Sequence, residues 1–154
     1  MRLRDLEHDH CDILLVEDNP KDVRLTQEAL REGGFDCELS VARNGAEALD
    51  MLRGVPPFAQ MSTPDLILLD INLPLKNGRE VLAEIKRDQR LRSIPVIILT
   101  TSRAESDVKA CYDLHANSYL VKPLEFDDFT ELMSGLHQFW IERALLPPKP
   151  ATRE

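Results

Sequence analysis

The chain has no apolar run near the roughly 20 residues that a membrane-spanning helix needs. Its first residues, Met1-Arg2-Leu3-Arg4-Asp5-Leu6-Glu7, carry acids and lack an apolar centre, which excludes a secretory signal. Positive charge is short: 19 lysines and arginines face 27 acids, for a formal net charge of −8. That balance argues against a nucleic-acid surface. Arg87, Arg90 and Arg92 cluster, but Asp88 interrupts them, and they read as a solvated loop. The cysteines Cys11, Cys37 and Cys111 are odd in number and form no Cys-x-x-Cys pair, so they read as reduced thiols of a cytosolic protein. No repeat, low-complexity stretch or second domain is visible. What remains is 154 residues, 43% hydrophobic and 30% charged, enough for one cytoplasmic domain with a sizeable core.

Within that frame, four short apolar runs stand out: Ile13-Leu14-Leu15-Val16, Leu66-Ile67-Leu68-Leu69, Val96-Ile97-Ile98-Leu99 and Tyr119-Leu120-Val121. Short branched runs bounded by turn formers read as buried parallel strands. Cys37-Glu38-Leu39-Ser40-Val41-Ala42 alternates and reads as a half-exposed edge strand. Helical signals separate them. Asn19-Pro20 opens a helix that Gly33-Gly34 stops, and Asn44 caps one that ends before Gly54. Val81, Leu82 and Ile85 mark a third, and Glu105 to Leu114 a fourth. A last helix starting near Glu125 or Phe126 carries Phe129, Leu132, Met133, Leu136 and Trp140 on one stripe. Five βα units with right-handed crossovers predict a three-layer α/β/α sandwich. A central first strand and an edge second strand favour the flavodoxin-like order 2-1-3-4-5. Residues 1–10 and 147–154 read as flexible ends, the latter with Pro147, Pro148 and Pro150. Residues 11–146 read as one domain with an extended last helix.

Ligands of such sheets bind outside the carboxyl ends of the strands. The residues at those ends are Glu17-Asp18, Asp70, Thr100 and Lys122. Asp70 ends the most apolar run, where a carboxylate is costly without a partner. A carboxylate can attack phosphorus to give an aspartyl phosphate; the plain alternative is a helix-capping Asp. Glu17 and Asp18 repel one another and call for a cation such as Mg²⁺, which takes oxygen ligands from one or two carboxylates, water and phosphate. The carbonyl of Asn72 could add a ligand. Lys122 opposes a phosphoryl oxygen or Asp70 in charge, and the following Pro123 allows a cis bond there. Thr100 offers a hydroxyl to a phosphoryl oxygen. Thr101 competes on chemistry, although strand alternation points it the other way. Tyr119 reads either as a core aromatic or as a ring that swings between buried and exposed positions.

At these residues the chain resembles the receiver domain of two-component response regulators, over about residues 11–137. The resemblance rests on Leu15-Val16-Glu17-Asp18-Asn19-Pro20, Leu69-Asp70-Ile71-Asn72-Leu73-Pro74, Asn77-Gly78, Ile94-Pro95-Val96-Ile97-Ile98-Leu99-Thr100 and Tyr119-Leu120-Val121-Lys122-Pro123. It implies a CheY-like sheet and a phosphoacceptor signalling domain, not a turnover enzyme. Asp70 would be the phosphoacceptor, and Asp18, Asp70 and the Asn72 carbonyl direct Mg²⁺ ligands, with Glu17 acting through water. Lys122 would bond the phosphoryl group, and Thr100 and Tyr119 would form the switch pair. Many members carry Asp where this chain has Glu17. Asn72 and Ser102 lie where access of hydrolytic water would be tuned. Asn19-Pro20-Lys21-Asp22-Val23, the proline-rich loop 55–64 and Asn117-Ser118-Tyr119 are similar to stand-alone receivers partnered with bacterial phytochrome histidine kinases in cyanobacteria.

The implied partners are a sensor histidine kinase, a downstream protein and a second copy of the chain. The apolar stretch Phe139, Trp140, Ile141, Leu145 and Leu146, with the fourth helix and fifth strand, reads as a homodimer face. No DNA-binding segment is visible beside the receiver. Three rivals remain on sequence. A Mg²⁺ phosphatase with an aspartyl intermediate would want a second acid at position 72, which is Asn, and a cap domain. A phosphate-independent docking module would have no need of the intact acid, hydroxyl and amine set. A flavin protein of this topology would face phosphate repulsion from Glu17 and Asp18.

Overall fold

The computed structural model describes residues 11–149, in which strands and helices alternate throughout. They are β1 (Asp12–Val16), α1 (Pro20–Glu32), β2 (Glu38–Ala42), α2 (Gly45–Arg53), β3 (Leu66–Leu69), α3 (Gly78–Arg87), β4 (Val96–Thr100), α4 (Glu105–Asp113), β5 (Ser118–Val121) and α5 (Phe126–His137). The strands pair in parallel in the order β2-β1-β3-β4-β5, as the sequence predicts. β3 is central because its four side chains are wholly buried. Each such leucine contributes about 1.5–3 kcal/mol relative to exposure. β2 lies at the edge, mostly half-exposed.

Alternation along the strands divides the core in two. Leu14, Val16, Ile67 and Leu69 face one layer with Leu49, Leu82 and Ile85 of α2 and α3. Ile13, Leu15, Leu66 and Leu68 face the other with Val23 and Leu30 of α1 and Phe129 and Met133 of α5.

The helix starts follow local chemistry. The Asn19 side chain accepts from the amides of Lys21 and Asp22, with Pro20 at the first helical position. Asn44 accepts from the Glu47 amide at 2.8 Å, and Gly54 closes α2 with φ of 70°. Asn77 and Glu80 form a reciprocal capping box on α3. That start is pinned by proximity: a Cβ at Gly78 would lie 2.3 Å from the Asp70 carbonyl oxygen.

Several expectations need correction. Cys11 and Cys37 are not free thiols but a disulfide, with Cα atoms 4.7 Å apart. Parallel register sets Asp12 opposite Glu38, so the residues just before them meet at the start of β1 and β2. Cys111 is free and buried. The cis peptide bond among the described residues is Pro56–Pro57, not Lys122–Pro123. The last helix is not uniform: after His137 the chain widens into a π-helical turn, Gln138–Arg143. Leu132 and Trp140 still pack on the Phe129 layer. The Arg87, Arg90 and Arg92 cluster is exposed, as expected. Pro147, Pro148 and Lys149 are described, and the Lys149 ammonium pairs with Asp12 at 2.7 Å and Asp65 at 3.7 Å. The other residues read as flexible, 1–10 and 150–154, lie outside the described residues. No described helix is long and apolar enough to cross a membrane.

Candidate functional site

The pocket lies where β1, β3, β4 and β5 end. Backbone bonds fix the strand ends relative to one another. The Glu17 amide donates to the Ala42 carbonyl, the Asp70 amide to Val16 and the Lys122 amide to Thr100, at 2.8–3.1 Å. Gly78 donates to Ile71 at 3.0 Å, which folds the segment after Asp70 back onto its own strand.

Lys122 is the centre of the side-chain arrangement. Its ammonium lies 2.5 Å from Glu17 Oε1, 3.3 Å from Asp70 Oδ2 and 3.6 Å from Asp22 Oδ2. The Lys122 side chain is 8% exposed and that of Glu17 2%. Burial works against the ammonium, but the Glu17 hydrogen bond and the charges of Asp70, Glu17 and Asp22 outweigh it and raise its pKa. Burial pushes Glu17 up to about 7, against the opposing hydrogen bond and charge of Lys122, and the Asp70 charge adds to the rise. One ammonium thus faces three carboxylates, those of Glu17, Asp70 and Asp22.

The remaining predicted residues stand around this core. Asp70 Oδ1 accepts from the Asn72 amide at 3.0 Å, which orients the carboxylate. Asn72 itself is exposed on the turn. Asp18 is exposed, and its amide donates to Glu17 Oε2 at 3.0 Å. Its carboxylate stands outside the Lys122 pairing among the described residues. Thr100 is fully buried, and its hydroxyl oxygen accepts from the Ser102 amide at 3.4 Å. Thr101 is exposed, as strand alternation predicts. The Tyr119 ring packs against the core, and its hydroxyl donates to the Ser102 carbonyl at 3.0 Å. Burial raises the Tyr119 pKa although that hydrogen bond lowers it, and the Asp107 charge adds to the rise.

Glu17, Asp70 and Lys122 thus touch directly, and Thr100 and Tyr119 meet through Ser102. Sequence reasoning gave no role to Asp22, whose place in the first turn of α1, four residues after Asp18, was the available signal. It also gave none to Asp107, whose carboxylate accepts from the Ser102 hydroxyl at 2.5 Å.

Among the described residues no three His, Cys, Asp or Glu side chains form a ready-made metal cluster. Lys122 stands between Glu17 and Asp70 instead. The donor chemistry still fits a hard dication of the Mg²⁺ type. Such ions use one or two carboxylates and keep several waters. Asp18 and Asp70, with a turn carbonyl, would supply that number, and three carboxylates around the single Lys122 ammonium leave net negative charge for such an ion to offset.

Residues 13–134 match the family described as response regulator receiver domain. The chain is 47% identical over 135 residues to response regulator Rcp1 of Synechocystis sp., covering 88% of this chain and 92% of that protein. It superposes on the crystal structure of the phosphorylated cyanobacterial phytochrome response regulator RcpA with a TM-score of 0.85 at 47% identity, covering 90% of this chain and 99% of the other. The Mn²⁺-bound form of Rcp1 gives a TM-score of 0.83 at 46% identity over 90% and 99% of the two chains.

Proposed function

This chain belongs to the response regulator receiver family and is closely related to cyanobacterial phytochrome-associated regulators, and from that premise we propose that Asp70 accepts a phosphoryl group from the histidine of a sensor kinase. The family consists of phosphoacceptor signalling domains whose own chemistry is limited to self-phosphorylation and self-dephosphorylation. The observation that carries the proposal is the Lys122 ammonium held between the buried Glu17 and Asp70 carboxylates at the sheet's carboxyl edge.

In the reaction the Asp70 carboxylate attacks phosphorus, the new P–O bond forms and the P–N bond to the kinase histidine breaks. Asn72 and Lys122 hold Asp70 in position, and Lys122 offers charge-assisted hydrogen bonds to the oxygens of the incoming group. Asp18, Asp70 and the Asn72 carbonyl would hold Mg²⁺, with Glu17 acting through a water molecule. A bound Mg²⁺ would neutralise charge on the phosphoryl oxygens. Rcp1, known in a Mn²⁺-bound form, supports a divalent cation here. After transfer, Thr100 gives its hydroxyl to a phosphoryl oxygen, and Tyr119 follows into the space it leaves. A shift from mostly one state to mostly the other needs a few kcal/mol of differential stabilisation.

The kinase in this reading is a bacterial phytochrome in the cytoplasm, and the output is a protein surface. One such surface is a groove of about 680 Å³ between β5 and α5, lined in part by Leu120, Val121, Leu132 and Trp140. Phe139 at the groove is 58% exposed. An apolar face of this kind suits a second copy of the chain.

The test is phosphoryl uptake from labelled acetyl phosphate with Mg²⁺, then from candidate phytochrome kinases, with molecular mass followed by light scattering. The wild-type chain acquires acid- and base-labile label, and D70N acquires none. Persistent label on D70N overturns the assignment of Asp70. A D70N chain that binds its partners as the phosphorylated wild type does would favour a docking module independent of phosphate.

A further inference from the structure

A chain of polar contacts runs from the start of α3 to the switch residues. Arg79 is the second residue of α3, next to Gly78, which packs against the backbone of Asp70 and Ile71. Arg79 Nη1 lies 3.5 Å from Asp107 Oδ1 in the first turn of α4. Asp107 Oδ2 accepts from the Ser102 hydroxyl at 2.5 Å. The Ser102 hydroxyl oxygen in turn accepts from the Ala104 amide at 3.3 Å. Ser102 then touches both switch residues: its amide donates to Thr100 Oγ1 at 3.4 Å, and its carbonyl accepts from the Tyr119 hydroxyl at 3.0 Å. The Arg79–Asp107 pair thereby ties α3 to the start of α4 and to the 101–104 loop that leads into it.

We propose that Arg79 restrains the switch: through Asp107 and Ser102 it holds Thr100 and Tyr119 in the arrangement that precedes transfer, and so slows phosphoryl uptake. The inference rests on the reading of Asp70 as phosphoacceptor, and adds to it a residue that touches neither phosphate nor cation. For Thr100 to donate to a phosphoryl oxygen on Asp70, its hydroxyl must move toward the pocket, and the 101–104 segment, held to it by the Ser102 amide, must shift with it. The Ser102 contact to Asp107 resists that shift, and Arg79 strengthens the contact by fixing the carboxylate. The Arg79 and Asp107 side chains are 46% and 24% exposed, so the ion pair is weak and salt-sensitive. The effect is accordingly a modest bias between two arrangements.

The experiment measures initial phosphoryl uptake from acetyl phosphate with Mg²⁺ in wild type, R79A, R79K, S102A and the R79A/S102A double variant, at low and at about 1 M salt. R79A and S102A are expected to accelerate uptake by about two- to five-fold at low salt, the scale set by one exposed ion pair or hydrogen bond. The double variant should be no faster than the single ones, because both act through one relay. R79K keeps the charge and should match wild type, and the R79A effect should shrink at high salt. A merely structural role for Arg79 would lower the unfolding midpoint without raising the uptake rate. Equal rates for R79A and R79K, or effects that multiply in the double variant, overturn the proposal. If wild type itself takes up no label, the reading of Asp70 fails and the relay with it; normal wild-type uptake with an unaltered R79A refutes the relay alone.

Discussion

Replacing Gly78 with alanine should damage the pocket from outside it. The added Cβ would lie 2.3 Å from the Asp70 carbonyl oxygen and 2.5 Å from Ile71 Cα. Ordinary carbon contacts begin near 3.5 Å, so the overlap is about 1 Å, and both neighbours are backbone that has no rotamer to swing away. Either α3 retreats or the segment after Asp70 moves. Overpacking of this kind costs about 1–3 kcal/mol. A displacement of about 1 Å at a reacting group can cost on the order of 10²-fold in rate. Gly135 provides the control within the same chain. It lies inside α5, and a Cβ there meets nothing within 4 Å. G135A should therefore gain about 0.5–1 kcal/mol from helix propensity. Urea unfolding gives the stabilities, and uptake of label from acetyl phosphate gives the rate. A G78A protein with wild-type midpoint and wild-type uptake would refute the claim that α3 is docked tightly against the Asp70 backbone.

Two further outcomes follow from features away from the pocket. The Cys11–Cys37 disulfide closes a loop across 26 residues that contains α1, for which chain entropy gives about 3.5 kcal/mol of stabilisation. Unfolded under non-reducing conditions, the chain should titrate with one thiol, and after reduction with three; three at the outset would refute the bond. Lys86 donates to the carbonyls of Arg92 and Ile94 and to Asn117 Oδ1, all neutral acceptors, and burial lowers its pKa to about 8. Between about pH 8 and 10.5 the unfolded chain then binds the extra proton, so stability contributed at this site rises with pH. The difference in unfolding free energy between wild type and K86M should grow over that window; a flat difference would refute the depressed ammonium.

The central strands were legible because Leu66-Ile67-Leu68-Leu69 is apolar without interruption, which only a strand buried on both faces requires. The contact of Lys122 with Glu17 and Asp70 followed from the sheet topology, which brings strand ends together whatever their distance in sequence. Register is a different matter. Nothing in the residues around Cys11 and Cys37 says that β1 and β2 start level, so their bond was not readable. The Arg79–Asp107 pair was hidden for a similar reason: each acid or base at a helix start is common, and only the packing of α3 beside α4 makes them partners. The turn after His137 escaped because Trp140 continues the helical stripe while the backbone widens beneath it.

The tie from Lys149 to Asp12 and Asp65 has a practical corollary. Asp12 opens β1, and the acidic pocket follows its last residue, Val16, so the two lie at opposite poles of the sheet, about 15 Å apart along the strand. A fluorescent reporter or surface tether fused beyond Lys149 would hang from the far pole, leaving the mouth above Asp70 unshadowed for a docking kinase.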